Sequence, residues 1–159
     1  MKKISLRNAI LLLYCIVCFS FMSATDSTII SAANTLTFGG KNIAIDMIDC
    51  STDNSSDGKN RAIAAMNSST GSACIIQFAV VSPATGTFVT AVDGDALKQG
   101  EVVLGTAGDA FDGNFLAKAG QAIMITNTGG KYHATFKDIV MTSDGKDSAK
   151  KLSGGFGCD

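Results

Sequence analysis

From residue 35 onward, apolar side chains recur at every second position, in short runs closed by glycine, aspartate, asparagine or serine. Leu36 and Phe38 lead into Gly39-Gly40, and Ile43, Ile45 and Met47 follow on one parity. Residues 87–92, 101–104, 111–117, 122–126, 132–141 and 152–158 supply further segments of this kind. A period of two is the signature of a strand with one face buried, whereas a helix would repeat at 3.6. The run 74–81 is apolar on both faces, with Cys74, Ile76, Phe78 and Val80 on one and Ile75, Ala79 and Val81 on the other. That pattern places it in the middle of the core.

The expectation is an all-β chain, a single antiparallel β-sandwich or open barrel of about eight or nine short strands. Pro83 is the only proline, and no Ser/Pro/Gly-rich linker or charge block divides the sequence, so residues 35–159 read as one domain. Gly-Asp and Asp-Gly pairs recur at Asp57-Gly58, Asp93-Gly94, Gly108-Asp109, Asp112-Gly113 and Asp144-Gly145 with irregular spacing. They are turn chemistry, since both residues tolerate left-handed backbone. Residues 60–67 fit a two-turn helix by propensity and a strand by context, and both readings stand. Beyond Lys137-Asp138 the bulky residues Ile139 and Met141 switch parity relative to Tyr132, Ala134 and Phe136, which predicts a β-bulge near Asp138 or a strand that becomes buried on both faces.

The N-terminus carries a different message. Lys2, Lys3 and Arg7 precede an uncharged, largely apolar run from Ala9 to Met22, followed by Ser23-Ala24 and the polar Thr25-Asp26. This is the order of a secretory signal peptide. About 20 apolar residues are needed to cross ~30 Å of hydrocarbon, so this run is short for a retained anchor. Cys15 and Cys18 lie inside it, but Tyr14 and Val17 stand where a lipobox wants a small residue. Residues 1–24 are read as signal peptide, with Ala33 the second-choice cut, and residues 25–34 as a short disordered or extended lead-in. The lysine-rich start points to a bacterial source, so Asn54 and Asn67 are not read as glycan acceptors.

Cleavage would change the charge balance. Ten basic residues then face fourteen acidic ones, a net charge of −4. Clustered Lys and Arg are what nucleic acids and anionic lipids require, and the nearest approach, Lys146, Lys150 and Lys151, is interrupted by Asp144 and Asp147. Neither partner is expected, nor is a membrane span after cleavage.

Three cysteines remain, so at most one intramolecular disulfide forms and one thiol is left over. Loop entropy separates the pairings poorly, because the three loops give about 3.4 to 4.8 kcal/mol. Position favours Cys50 with Cys158, since Cys50 ends a strand and Cys158 lies where a staple would prevent fraying. Cys74 with Cys158, then Cys50 with Cys74, come behind. Cys74 shares a face with Ile76 and Phe78 and reads as a free, buried thiol.

Chemistry-bearing constellations are few. His133 is the only histidine and Glu101 the only glutamate; no nucleophile elbow, phosphate loop or dinucleotide fingerprint occurs. His133 falls on the parity of Thr135 and Lys137, a solvent face. Asp53, Ser55 and Asp57 take the first, third and fifth positions of a calcium-type loop before Gly58, but position twelve is Ala64 rather than glutamate. They are weak calcium candidates, as are Asp93, Asp95, Asp109 and Asp112 converging from two turns. No cofactor and no resident metal are expected.

Together these features imply an exported, periplasmic or secreted, non-enzymatic protein with a binding or structural role and a protein or glycan partner at the cell envelope. A small secreted hydrolase or inhibitor using loop aspartates and His133 is the alternative. A pilus-like surface subunit stands third, because the sequence Gly155-Phe156-Gly157-Cys158-Asp159 lacks the expected aromatic beside its end.

Overall fold

The computed structural model describes residues 34–50, 61–143 and 146–158. The proposed signal peptide, nearly all of the lead-in, the Asp53/Ser55/Asp57 loop and the Asp144-Gly145 turn lie outside them. Among the described residues the chain forms eleven strands: β1 Thr35–Phe38, β2 Lys41–Ile43, β3 Met47–Asp49, β4 Arg61–Asn67, β5 Ser72–Phe78, β6 Gly86–Thr90, β7 Glu101–Ala107, β8 Phe115–Ala117, β9 Ala122–Thr128, β10 Lys131–Ser143 and β11 Lys146–Gly157. Single 3-10 turns occupy Gly94–Ala96 and Asp109–Phe111. The fold is all-β.

All strands belong to one sheet, in the order β2-β1-β11-β10-β9-β6-β7-β5-β4-β3, with β8 pairing to both β10 and β7. The outermost strands, β2 and β3, are consecutive in the chain and separated only by residues 44–46. Four residue steps reach at most about 14 Å. The sheet is therefore curled until its two ends nearly meet, and it encloses one main core. Phe38 packs there edge-on to Phe111 at 5.3 Å and to Phe115 at 5.0 Å between centroids.

The strands depart from the sequence-based expectation in three places. Residues 43–47 do not continue one strand, because the chain leaves its pairing with β1 after Ile43 and pairs Met47 with Met66 on the opposite end of the sheet. Polar bonds hold this crossing: Asn67 Nδ2 donates to Ala44 O at 3.1 Å, and the Asp46 carboxylate accepts from Ser68 N and Oγ at 2.8 and 2.7 Å. Residues 111–117 divide between a 3-10 turn and the short β8. Finally, the sheet is not wholly antiparallel, since β6 and β7 pair in parallel through Val89 with Glu101 and Thr90 with Val102. Residues 91–100 loop round to set Glu101, the first residue of β7, beside Val89 near the finishing end of β6 and running in the same direction, which a tight hairpin would not do.

Elsewhere local chemistry and topology agree. Gly39 and Gly40 both have positive φ, 56° and 83°, and make the two-residue turn between β1 and β2. Residues 61–67 are strand, because pairing with β3 and β5 on both sides outweighs the helical propensity of alanine and methionine. The register of β10 with β11 slips between Phe136 and Ile139. Asp138 sits at the slip with φ 55°, its N–H donating to Ser153 Oγ at 2.8 Å, so the parity switch is a bulge.

Candidate functional site

One end of the curled sheet is assembled from four strand termini. Cys50 follows β3 and Cys158 follows β11; they form a disulfide, with Cα atoms 6.2 Å apart. Cys158 N donates to Tyr132 O at 2.8 Å, tying the same point to the start of β10. Cys74 is free and fully buried on β5, and burial pushes its thiol far above the ordinary range. It is inert as a nucleophile.

Arg61, the first residue of β4, points into this end of the core. Only 8% of its surface is exposed. Nε donates to Val81 O at 2.5 Å, Nη1 donates to Cys50 O at 3.2 Å, and the guanidinium carbon lies 4.4 Å from the Tyr132 ring centroid. The ion pairs among the described residues are Lys150 with Asp112 and Lys151 with Asp138, neither involving Arg61. The residue is a buried cation held by carbonyl dipoles and a π face.

The residues singled out from the sequence do not come together. His133 is half-buried on the outward face of β10, opposite Thr126 and Gly157, and its Nε2 is buried without a hydrogen-bond partner. No aspartate bonds to it among the described residues. Asp46 is exposed and bonded to Ser68, which holds its carboxyl below the usual range. Asp112 turns its carboxylate to Lys150 at 2.6 Å from a left-handed backbone position. Among the described residues no group of three His, Cys, Asp or Glu could hold a metal ion. The convergence of Asp93, Asp109 and Asp112 is thus not present, and Asp112 is committed to Lys150. The Asp53, Ser55 and Asp57 loop and the Asp95 side chain fall outside the described residues.

Another part of the architecture offers something the sequence did not single out. On the outward face of β3, β4, β5, β7 and β8, the register aligns Met47, Met66, Ala73 and Ala107 in one row and Ala64, Ile75, Gly105 and Leu116 in the next. Ala64, Met66 and Ala73 form a second buried apolar cluster with Met47 and Ile75 against it. Beside them Ile75, Val103, Gly105 and Leu116 line an apolar cleft of about 40 Å³. Gly105 makes room for it, since a Cβ there would stand 3.2 Å from Leu116 Cδ2. The signal was present in the apolar content of both parities along 62–66 and 73–79, which a strand with one wet face does not need.

Comparison of the chain with protein-family models, with curated proteins and with solved structures returned no match.

Proposed function

We propose that the chain is an exported β-sandwich module of the bacterial cell envelope, periplasmic or secreted, with a binding or structural rather than enzymatic role. The observation that carries this reading is the outward apolar cleft lined by the partly buried Ile75, Val103 and Leu116, on a strand set whose other face already fills the core. An apolar cleft on the outward side of a sheet can seat an apolar group of a partner. The cleft takes a methyl- or isopropyl-sized group, so an apolar side chain of a protein partner fits it better than a glycan hydroxyl face.

Export is supported by the order of residues 1–24 and by the Cys50–Cys158 disulfide, which persists in an oxidising compartment. The sandwich is favoured over an open barrel by the Arg61–Tyr132 stack, which joins two strands that are not neighbours in the sheet.

The test has two arms. Mass mapping of the protein recovered from outside the cytoplasm, without reduction, should give an N-terminus at Thr25 or Asn34 and the Cys50–Cys158 peptide; an intact residue 1 would remove the export reading. Val103→Lys and Leu116→Glu should then abolish retention of the purified protein on isolated envelopes while leaving its melting midpoint within a few degrees. Retention by both variants would remove the binding face.

A further inference from the structure

We propose that the outward face of β10, β9, β6 and β7 is a self-complementary surface on which a second copy of this chain docks, about a two-fold axis parallel to the strands between β9 and β6. This surface is separate from the cleft around Ile75 and Leu116, and its role does not depend on what that cleft binds. Among the described residues the exposed large apolar side chains are Val89, Val92 and Met124. Val89 on β6 and Met124 on β9 are 42% and 46% exposed and stand as diagonal neighbours on paired strands, turned away from the core. The register fixes what surrounds them. One row on this face runs Ala122, Val89 and Glu101 across β9, β6 and β7; the next runs Thr135, Met124 and Thr87 across β10, β9 and β6. Lys137 follows Thr135 on the same exposed parity of β10, which brings it to the level of Ala122. The first row therefore reads base, small side chain, large apolar side chain, acid.

A two-fold contact sets one patch against itself, so each half of the patch must complement the other half. Rotation about an axis between β9 and β6 lays β9 of one copy on β6 of the other and β10 on β7. Val89 then faces the partner's Ala122, Met124 faces the partner's Thr87, and Glu101 faces the partner's Lys137, each pair occurring twice. Bulk meets a small side chain and acid meets base. A two-fold axis across the strands would instead set Glu101 against its own copy, which like charge opposes. Paired strands lie about 4.8 Å apart, so the row spans about 14 Å. Because the sheet curls around its core this face is convex, and contact falls away beyond β10 and β7. So narrow a contact suits a weak, reversible dimer.

Every described strand lies after residue 34, so protein lacking residues 1–24 carries the whole face. Sedimentation equilibrium at low salt, taken up to about 1 mM protein, should fit a monomer and dimer in exchange. Val89→Lys should weaken the dimer about tenfold or more, and so should Lys137→Glu, which sets a carboxylate against Glu101. Glu101→Lys combined with Lys137→Glu exchanges the two flanks and should return the dissociation constant to within about threefold of the original. Melting midpoints show that each variant is compared in its folded state. A monomer at every concentration overturns the proposal. A dimer that Val89→Lys leaves unchanged does the same, as does a charge exchange that fails to restore what Lys137→Glu removed. A dimer lost in Leu116→Glu but kept in Val89→Lys would put the second copy on the cleft and likewise overturn this face.

Discussion

The guanidinium of Arg61 stacks on the ring of Tyr132 at 4.4 Å, joining the first residue of β4 to β10 across the interior of the curled sheet. The two strands share no backbone pairing, so the stack and the nearby Cys50–Cys158 bond connect one limb of the sheet to the other at this end.

Arg61→Met keeps the apolar stem but removes the donors to Val81 O and Cys50 O and the cation over Tyr132. Its expected cost is about 2–4 kcal/mol, from two charge-assisted bonds and one desolvated cation–π contact. Arg61→Lys should recover only part, because an ammonium lacks the fork that reaches both carbonyls. Urea unfolding of the three proteins measures this, and a cost below ~0.5 kcal/mol for Arg61→Met would contradict a structural role.

The disulfide closes a loop of 108 residues. Cys50→Ser with Cys158→Ser should lower stability by up to about 4.8 kcal/mol on the chain-entropy estimate. Protein lacking residues 1–24, and with them Cys15 and Cys18, should at the same time fail to react with a thiol reagent at mildly alkaline pH, since Cys74 is fully buried and its thiolate is suppressed. One thiol per chain should appear only on unfolding. Rapid native labelling would show that Cys74 is not where β5 puts it.

Asp46 gives a pH dependence of known sign. Its carboxyl is held below the usual range first by the Ser68 hydroxyl and then by the Ser68 N–H. A depressed folded value contributes stability that is present above the unfolded value, about 3.9, and is lost as pH falls through the folded one. The stability difference between wild type and Ser68→Ala should therefore be constant from about pH 6 to 5 and shrink below about pH 4. The group is exposed, so the whole effect is small. A difference that grew on acidification would refute the assignment.

How far the sequence could be read depends on whether the decisive interaction was local. The bulge at Asp138 was legible because the parity of Phe136 and Ile139 is written in adjacent residues, and the burial of Cys74 followed from Ile76 and Phe78 beside it. The departure of the chain after Ile43 was not, since Ile45 and Met47 keep the same parity while Asn67 and Ser68, more than twenty residues away, take the polar groups of residues 44–46. The parallel pairing of β6 with β7 rests on two residue pairs and leaves no mark on the pattern. Arg61 looked like part of a helix-forming run. Its role depends on Tyr132 and Val81, which only the fold brings to it.

Gly154 offers the sharpest test of the sheet itself. It lies in register between Leu36 and Phe136, where β11 is flanked by β1 and β10, and its φ is 135°. A Cβ at this position would collide with the carbonyl oxygen of Thr35 and stand 3.0 Å from Leu36 Cα, so the backbone of β1 would have to move. Gly130 has a φ of 88° but nothing within 4 Å of its would-be Cβ. Gly130→Ala should then cost only the conformational penalty, about 1–2 kcal/mol. Gly154→Ala adds displacement of a paired strand and should cost about 3 kcal/mol or more. Unfolding by urea compares the two directly. Equal costs would mean that β1 and β11 are not as close at this point as the register requires.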